Sequence, residues 1–193
     1  MTLLMEKALP RERQATVGQL VERLYRADGK AEIVNGEIIK LMSTGDEPNT
    51  AAFNVAFSLK LYQRATSLGR AYTDNIGYLV NLPRRKSFSP DASFYAGPRS
   101  GMKFLQGAPL FAVEVRSEND YGTKAEQEIT QKRRDYFAAG TEVVWDVDLL
   151  SEDVVKSYHR DNPDEPRIFQ RGATAHAEPA LPGWTMPVDE LLD

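Results

Sequence analysis

The stretch FAVEVRSEND, residues 111–120, alternates its side chains with a period of two. Phe111, Val113 and Val115 fall on one face, which is wholly apolar. Leu110, Ala112, Glu114 and Arg116 fall on the other, which begins apolar and ends charged. A segment patterned this way belongs in a sheet with its first face covered. Glu114 then stands either at the water's edge of that sheet or at the end of a covered strand, held there for chemistry.

The flanking sequence extends the pattern. Residues 124–139 predict a helix closed by Gly140 in the position just past its end. TEVVWDVD predicts a strand buried on both faces. Nearer the N-terminus, Thr16 and Gln19 form a capping box that opens a helix with Leu20, Val21, Leu24 and Tyr25 on its apolar stripe. In AEIVNGEIIKLM the Asn35-Gly36 pair, flanked by β-branched runs, predicts a hairpin. Residues 50–67 predict a well-buried helix, with Phe53, Phe57 and Leu61 on its apolar face and Val55 and Leu59 nearby; Gly69 stops it. AYTDNIGYLVNL and FSPDASFYA read as strands joined by a turn over residues 83–86, with Pro90 marking an edge or an irregular entry. Short strands are expected near 154–159 and 167–170, and LPGWTMPVDELLD closes with a turn and a short helix.

Residues 1–15 are charged and aperiodic, so they read as an N-terminal arm. No linker divides residues 16–193, and a chain of 193 residues with 41% hydrophobic and 27% charged content suits one domain. No stretch reaches the roughly 18 apolar residues of a membrane span, and no signal-peptide core is seen, so a cytoplasmic protein without a membrane partner is expected. The chain has no cysteine and only His159 and His176. Disulfides, thiolate catalysis and cysteine- or histidine-rich zinc sites are thereby excluded. A metal site would use carboxylates and carbonyls, which favours magnesium, manganese or calcium. The net charge of −4 and pI near 5.4 argue against coating nucleic acid through bulk electrostatics. Two local basic clusters, Arg84-Arg85-Lys86 and Lys132-Arg133-Arg134, have as their plain interpretation a solvated turn and a solvated helix face.

Three residues carry potential chemistry. Asp91 follows Pro90 in its strand, Glu114 lies in the central strand, and Lys132 lies in the helix that follows. Lys132 shares the stripe of Ala125, Ile129, Tyr136 and Ala139, so it faces the sheet. Either its stem packs on apolar surface while the ammonium reaches water, or the ammonium meets the two carboxylates. Carboxylates on neighbouring strands can hold a divalent cation, and a nearby ammonium suits phosphodiester hydrolysis, where charge builds on the phosphate. Asp91 alone equally suits a strand entry, and spacing by itself does not bring the three together. Ser117 either binds a ligand or ends the strand, and Trp145 and Tyr136 are expected in the core.

Five segments, AEIVNGEIIKLMSTGDE, SPDASFYA, LFAVEVRSEND, KRRDYFAAGTEVVWDVD and LPGWTMPVDELL, together resemble the Uma-type restriction endonuclease family, a branch of the PD-(D/E)XK nuclease superfamily. The resemblance runs from about residue 16 to the end. It implies an α/β, restriction-endonuclease-like fold with a central mixed β-sheet flanked by helices. It further implies Asp91 and Glu114 as ligands of Mg²⁺ or Mn²⁺, Lys132 as the catalytic lysine, and DNA as the substrate of an endonuclease. Glu32 and Glu37 are candidates for a further carboxylate near the metal. Two departures stand out. TGDEPN lacks the histidine that the family commonly shows after the hairpin. Arg116 occupies the strand position where the wider superfamily keeps its lysine; it stays protonated, so it either grips a substrate phosphate bidentately or serves as an exposed salt-bridge partner. A second expectation therefore stands beside the enzyme: a catalytically inactive nuclease-fold module that binds nucleic acid or a protein partner, in keeping with the acidic net charge and the missing histidine. Cutting both strands of a duplex favours a homodimer.

Overall fold

Thr16 caps the first helix as its sequence requires. In the computed structural model, which describes residues 15–193, the Thr16 hydroxyl accepts the Gln19 N–H at 3.3 Å, and Gln19 Oε1 accepts the Thr16 N–H at 2.9 Å. Helix α1 (Val17–Tyr25) follows and sets Leu20 and Leu24 against Ile33. The arm expected over residues 1–15 lies outside the described residues, apart from Ala15. Strands β1 (Ala31–Val34) and β2 (Glu37–Lys40) form the expected hairpin; Asn35 (φ 53°) and Gly36 (φ 80°) supply the two left-handed residues that such a turn demands.

After α2 (Asp46–Thr66) come β3 (Arg70–Thr73), β4 (Tyr78–Leu79), β5 (Ser87–Phe88), β6 (Ala92–Tyr95), β7 (Leu105–Gln106) and β8 (Phe111–Val115). Both upstream strands of the sequence reading are split. The first breaks into β3 and β4 around Asn75, which is left-handed at φ 64°. The second breaks into β5 and β6 around Pro90, which has no N–H to give a ladder. Then follow α3 (Thr123–Ala139), β9 (Val143–Val147), β10 (Val155–His159), β11 (Asn162–Phe169), β12 (Thr174–His176), β13 (Thr185–Pro187) and a 3₁₀ turn over Val188–Leu191. Gly140, at φ 107°, closes α3 from a backbone region that other residues rarely adopt.

Six strands make the central sheet in the order β11-β10-β9-β8-β6-β3. Only β8 and β9 run parallel, and α3 is the crossover that a parallel pair needs; the other neighbours are antiparallel, so the sheet is mixed. β11 is longer than expected and carries Pro163 and Pro166, which an edge strand tolerates.

The alternation in FAVEV sorts the core into two layers. Phe111, Val113 and Val115 pack with Val55 and Leu59 of α2 and with Trp145 and Trp184. The Trp145 ring meets Phe111 edge to face, with centroids 5.2 Å apart, and leans on Trp184 at 5.1 Å; such pairs add about 0.5–1.5 kcal/mol each beyond area burial. Ala112 faces the opposite layer, with Val144 and with Tyr136 and Phe137 of α3.

The expected face of α2 is wrong. Phe53, Phe57 and Leu61 are 59%, 56% and 48% exposed, and the sheet instead receives Ala51, Ala52, Val55, Ala56, Leu59 and Tyr62. The helix carries two apolar stripes, and periodicity alone does not choose between them. The stripe with three alanines lets the helix approach the sheet closely, and it is the one buried.

Candidate active site

Asp91 enters the site through the ladder between β6 and β8. Its N–H donates to the Val113 carbonyl at 3.0 Å, and its Oδ2 accepts the Val115 N–H at 2.8 Å. It lies two and four residues before Ser93 and Tyr95, and Tyr95 packs into the α3-side layer. Asp91 thus shares that face with Glu114, which alternates away from Val113 and Val115.

Helix α3 brings two donors to Glu114 from positions one turn apart. Lys132 Nζ lies 2.8 Å from Glu114 Oε2, and the Tyr136 hydroxyl donates to Oε1 at 2.6 Å. Lys132 Nζ is also 3.1 Å from Glu32 Oε1. Glu32 reaches in from the hairpin, where it accepts the Ser89 N–H at 2.9 Å and an Arg85 Nη1 donor. Arg85 Nε donates in turn to Asp135 on α3 at 2.9 Å. On the other side, Lys30 Nζ sits 2.5 Å from Asp91 Oδ1 and 2.6 Å from Asp74 Oδ1. Hairpin, β6 entry, β8 and α3 therefore converge on one site whose ion pairs form two sets, Lys30 with Asp91 and Asp74, and Lys132 and Arg85 with Glu32, Glu114 and Asp135. It borders a cleft of about 700 Å³ lined by Glu32, Glu114, Lys132 and Arg133, with Arg84 and Lys124 among its basic residues.

The electrostatics divide the two glutamates. Burial pushes Glu114 above the ordinary carboxylate range, and Asp91 and Glu32 add to this against the pull of Lys132 and Lys30. Burial works the same way on Glu32, but Lys132, Arg85 and the Ser89 N–H outweigh it and hold Glu32 below that range. Lys132 is buried, yet Glu114 and Glu32 raise it above an ordinary lysine, so it is an ammonium at neutral pH. Tyr136 is raised well above an ordinary phenol, first by burial and then by Glu114, and stays a donor.

The predicted residues fare unequally. Asp91, Glu114, Lys132 and Glu32 come together. Glu37 lies exposed on β2, and its side chain takes part in none of the side-chain hydrogen bonds or ion pairs among the described residues. Arg116 is neither exposed nor free: Nε and Nη2 grip Asp146 at 2.8 and 2.7 Å, and Nη1 and Nη2 donate to Glu126. Its strand position turns it toward α3 and β9, whose carboxylates take the donors a phosphate would have used. Ser117 ends the strand, with its N–H on Asp120 Oδ2 at 2.7 Å. Trp145 and Tyr136 are core residues, though Tyr136 also touches Glu114.

Lys30, Arg85 and the Tyr136 hydroxyl were not legible as site residues. Lys30 had a signal, since it shares a face with Glu32 two positions on and is opposite in charge. Arg85 had none. Between Arg84 and Lys86 it looks like part of a solvated turn, whereas it is 6% exposed and wholly committed to ion pairs.

Among the described residues, no three His, Asp or Glu side chains form a group able to hold a metal. Two carboxylates on one sheet face remain a fitting donor set for Mg²⁺ or Mn²⁺, because Mg²⁺ is commonly bound through one or two carboxylates, with water and substrate phosphate as its other ligands. No helix among the described residues is long and apolar enough to cross a membrane.

The fold matches a crystal structure titled as "a putative nuclease belonging to DUF820" from Anabaena variabilis. That match has a TM-score of 0.68 at 16% identity and covers 89% of this chain and 96% of that one. A search of curated proteins finds no match. A family profile described as "Putative restriction endonuclease", of the Uma type, matches residues 18–189. Nearly the whole described chain falls within that match, and the protein belongs to the Uma-type restriction endonuclease family, a nuclease family, with a restriction-endonuclease-like fold.

Proposed function

We propose that the protein is a metal-dependent endonuclease that hydrolyses phosphodiester bonds in DNA, with Asp91 and Glu114 as ligands of Mg²⁺ or Mn²⁺ and Lys132 as the catalytic lysine. The observation that carries this is the placement of Lys132 Nζ 2.8 Å from Glu114 Oε2 on the sheet face that Asp91 shares. Membership of a restriction endonuclease family makes DNA the substrate of choice. A bound ion would neutralise charge building on the phosphate and lower the pKa of a water molecule. Asp91 and Glu114 would hold that ion. Lys132, kept protonated by Glu114 and Glu32, serves as a fixed positive charge that stabilises the transition state and does not accept a proton. Tyr136 orients the Glu114 carboxylate. Lys30 must release Asp91 Oδ1 before an ion takes it, and Asp74 offers the ammonium a place to go.

A second reading has its own support. Every oxygen of Asp91 and Glu114 already has a protein donor, as suits a nuclease fold that binds nucleic acid or a protein partner without turnover. Calorimetric titration with Mn²⁺ separates the two. Saturable binding that is lost in Asp91→Ala and Glu114→Ala, together with cleavage of plasmid DNA that falls about 10²–10³-fold in Lys132→Ala, supports the enzyme. Equal, non-saturating heats from all three proteins would leave the binding module.

A further inference from the structure

The α2 stripe left in solvent is organised. Asp46, Thr50, Phe53, Phe57, Lys60 and Arg64 follow one another at alternating steps of four and three, the spacing that keeps a seam on one side of a helix. Phe53 and Phe57 stack on each other at its centre, with ring centroids 6.4 Å apart. Leu61 flanks them. The seam ends acidic at Asp46 and basic at Lys60 and Arg64. Among the described residues, none of these three takes part in an ion pair, and all three are exposed.

We infer that this face is a homodimer interface in which α2 packs antiparallel against α2 of a second copy about a two-fold axis. The seam reads as its own complement when reversed. In that register Phe53 meets Phe57 of the second copy, Thr50 meets Lys60, and Asp46 meets Arg64, each contact occurring twice. The parallel alternative would set Asp46 on Asp46, Lys60 on Lys60 and Arg64 on Arg64, so like charges exclude it. Charge complementarity points to a second copy, because the acidic first turn and basic last turn of α2 pair with each other only when the same helix lies antiparallel across the axis. The contact is one helix face wide, at the low end of specific interfaces, below roughly 1,200 Å² in total. The dimer accordingly forms in the micromolar range or weaker.

This inference does not rest on nuclease activity, and its test needs none. Sedimentation velocity across the micromolar to millimolar range is expected to give a concentration-dependent dimer. Phe57→Asp removes it, and at concentrations where wild type is monomeric it leaves the melting temperature close to that of wild type, because Phe57 is 56% exposed. Asp46→Arg and Arg64→Asp each weaken it several-fold, and the double exchange Asp46→Arg with Arg64→Asp restores it. A monomer at every concentration overturns the inference, as does a dimer indifferent to Phe57→Asp. A double exchange no better than the singles overturns the antiparallel register, and with it the proposed interface.

Discussion

Glu114 answers to two opposing demands. Its strand position buries it, and it faces Asp91 and Glu32 across the site, so its charged form is disfavoured in the fold; Lys132 and Tyr136 hold it in place regardless. A carboxyl raised in the folded state contributes stability that is complete below its unfolded pKa and is lost as pH rises through the raised value. The metal-free protein should therefore lose stability relative to Glu114→Gln as pH rises above about 4, the ordinary glutamate range. Thermal melts of both proteins across the acid-to-neutral range check this, and a stability difference that stays constant or moves in favour of wild type as pH rises would contradict it. Lys30 leads to a companion expectation. Its ammonium occupies Asp91 Oδ1, so Lys30→Met, which keeps the apolar stem, should tighten Mn²⁺ binding by about tenfold, or 1.4 kcal/mol. Unchanged or weaker affinity in calorimetry would mean that Lys30 does not compete for the site. Of these two residues Glu114 was the more legible, since a charge breaking an apolar strand stands out, whereas Lys30 showed only its opposite charge to Glu32 two positions on, and nothing set it beside Asp91 until the partner strand was placed.

At the scale of elements, the hairpin is an addition to the six-stranded sheet, held by backbone hydrogen bonds to residues 84–86 and joined to α3 through charge. Ile33 packs on α1, but the tie to α3 runs from Glu32 through Arg85 to Asp135, with Lys132 bridging Glu32 and Glu114. Breaking a buried pair strands its partners. Arg85→Met leaves Glu32 and Asp135 buried with less compensation, at a cost of about 3–5 kcal/mol. Removing a second charge relieves part of that loss, so Glu32→Gln combined with Arg85→Met should cost less than the sum of the two single changes. Urea unfolding measures all three. Additive losses would mean that the two residues are not coupled. Element boundaries that depend on local chemistry were readable: the Thr16–Gln19 cap, the Asn35-Gly36 turn and the Gly140 terminus each need a particular side chain or a left-handed backbone. The face of α2 was not. Phe53, Phe57 and Leu61 are the more apolar stripe, and only the sheet's need for close approach selects the alanines, a fact written in β6 and β8 and absent from α2 itself.

On the scale of the molecule, β8 ties the parts together. Val113 and Val115 belong to the core under α2, Ala112 to the core under α3, and Glu114 to the charge network. A single strand serves all three, so none can open without disturbing the others. Residues 16–193 should accordingly unfold as one cooperative unit. Trp145 and Trp184 both lie in the α2-side core, so tryptophan fluorescence reports that layer while far-UV circular dichroism reports the whole chain. Their denaturant transitions should coincide. Mn²⁺ held by the proposed pair of Asp91 and Glu114, in the other layer, should shift both transitions together, by about 2.7 kcal/mol at a hundredfold excess over Kd. A chain starting at Thr16 keeps its own helix cap, because both capping hydrogen bonds lie between Thr16 and Gln19. Separate transitions, or a metal shift seen by one probe alone, would divide the chain into independent units. In that event the carboxylates of the site would no longer owe their placement to the core beneath them.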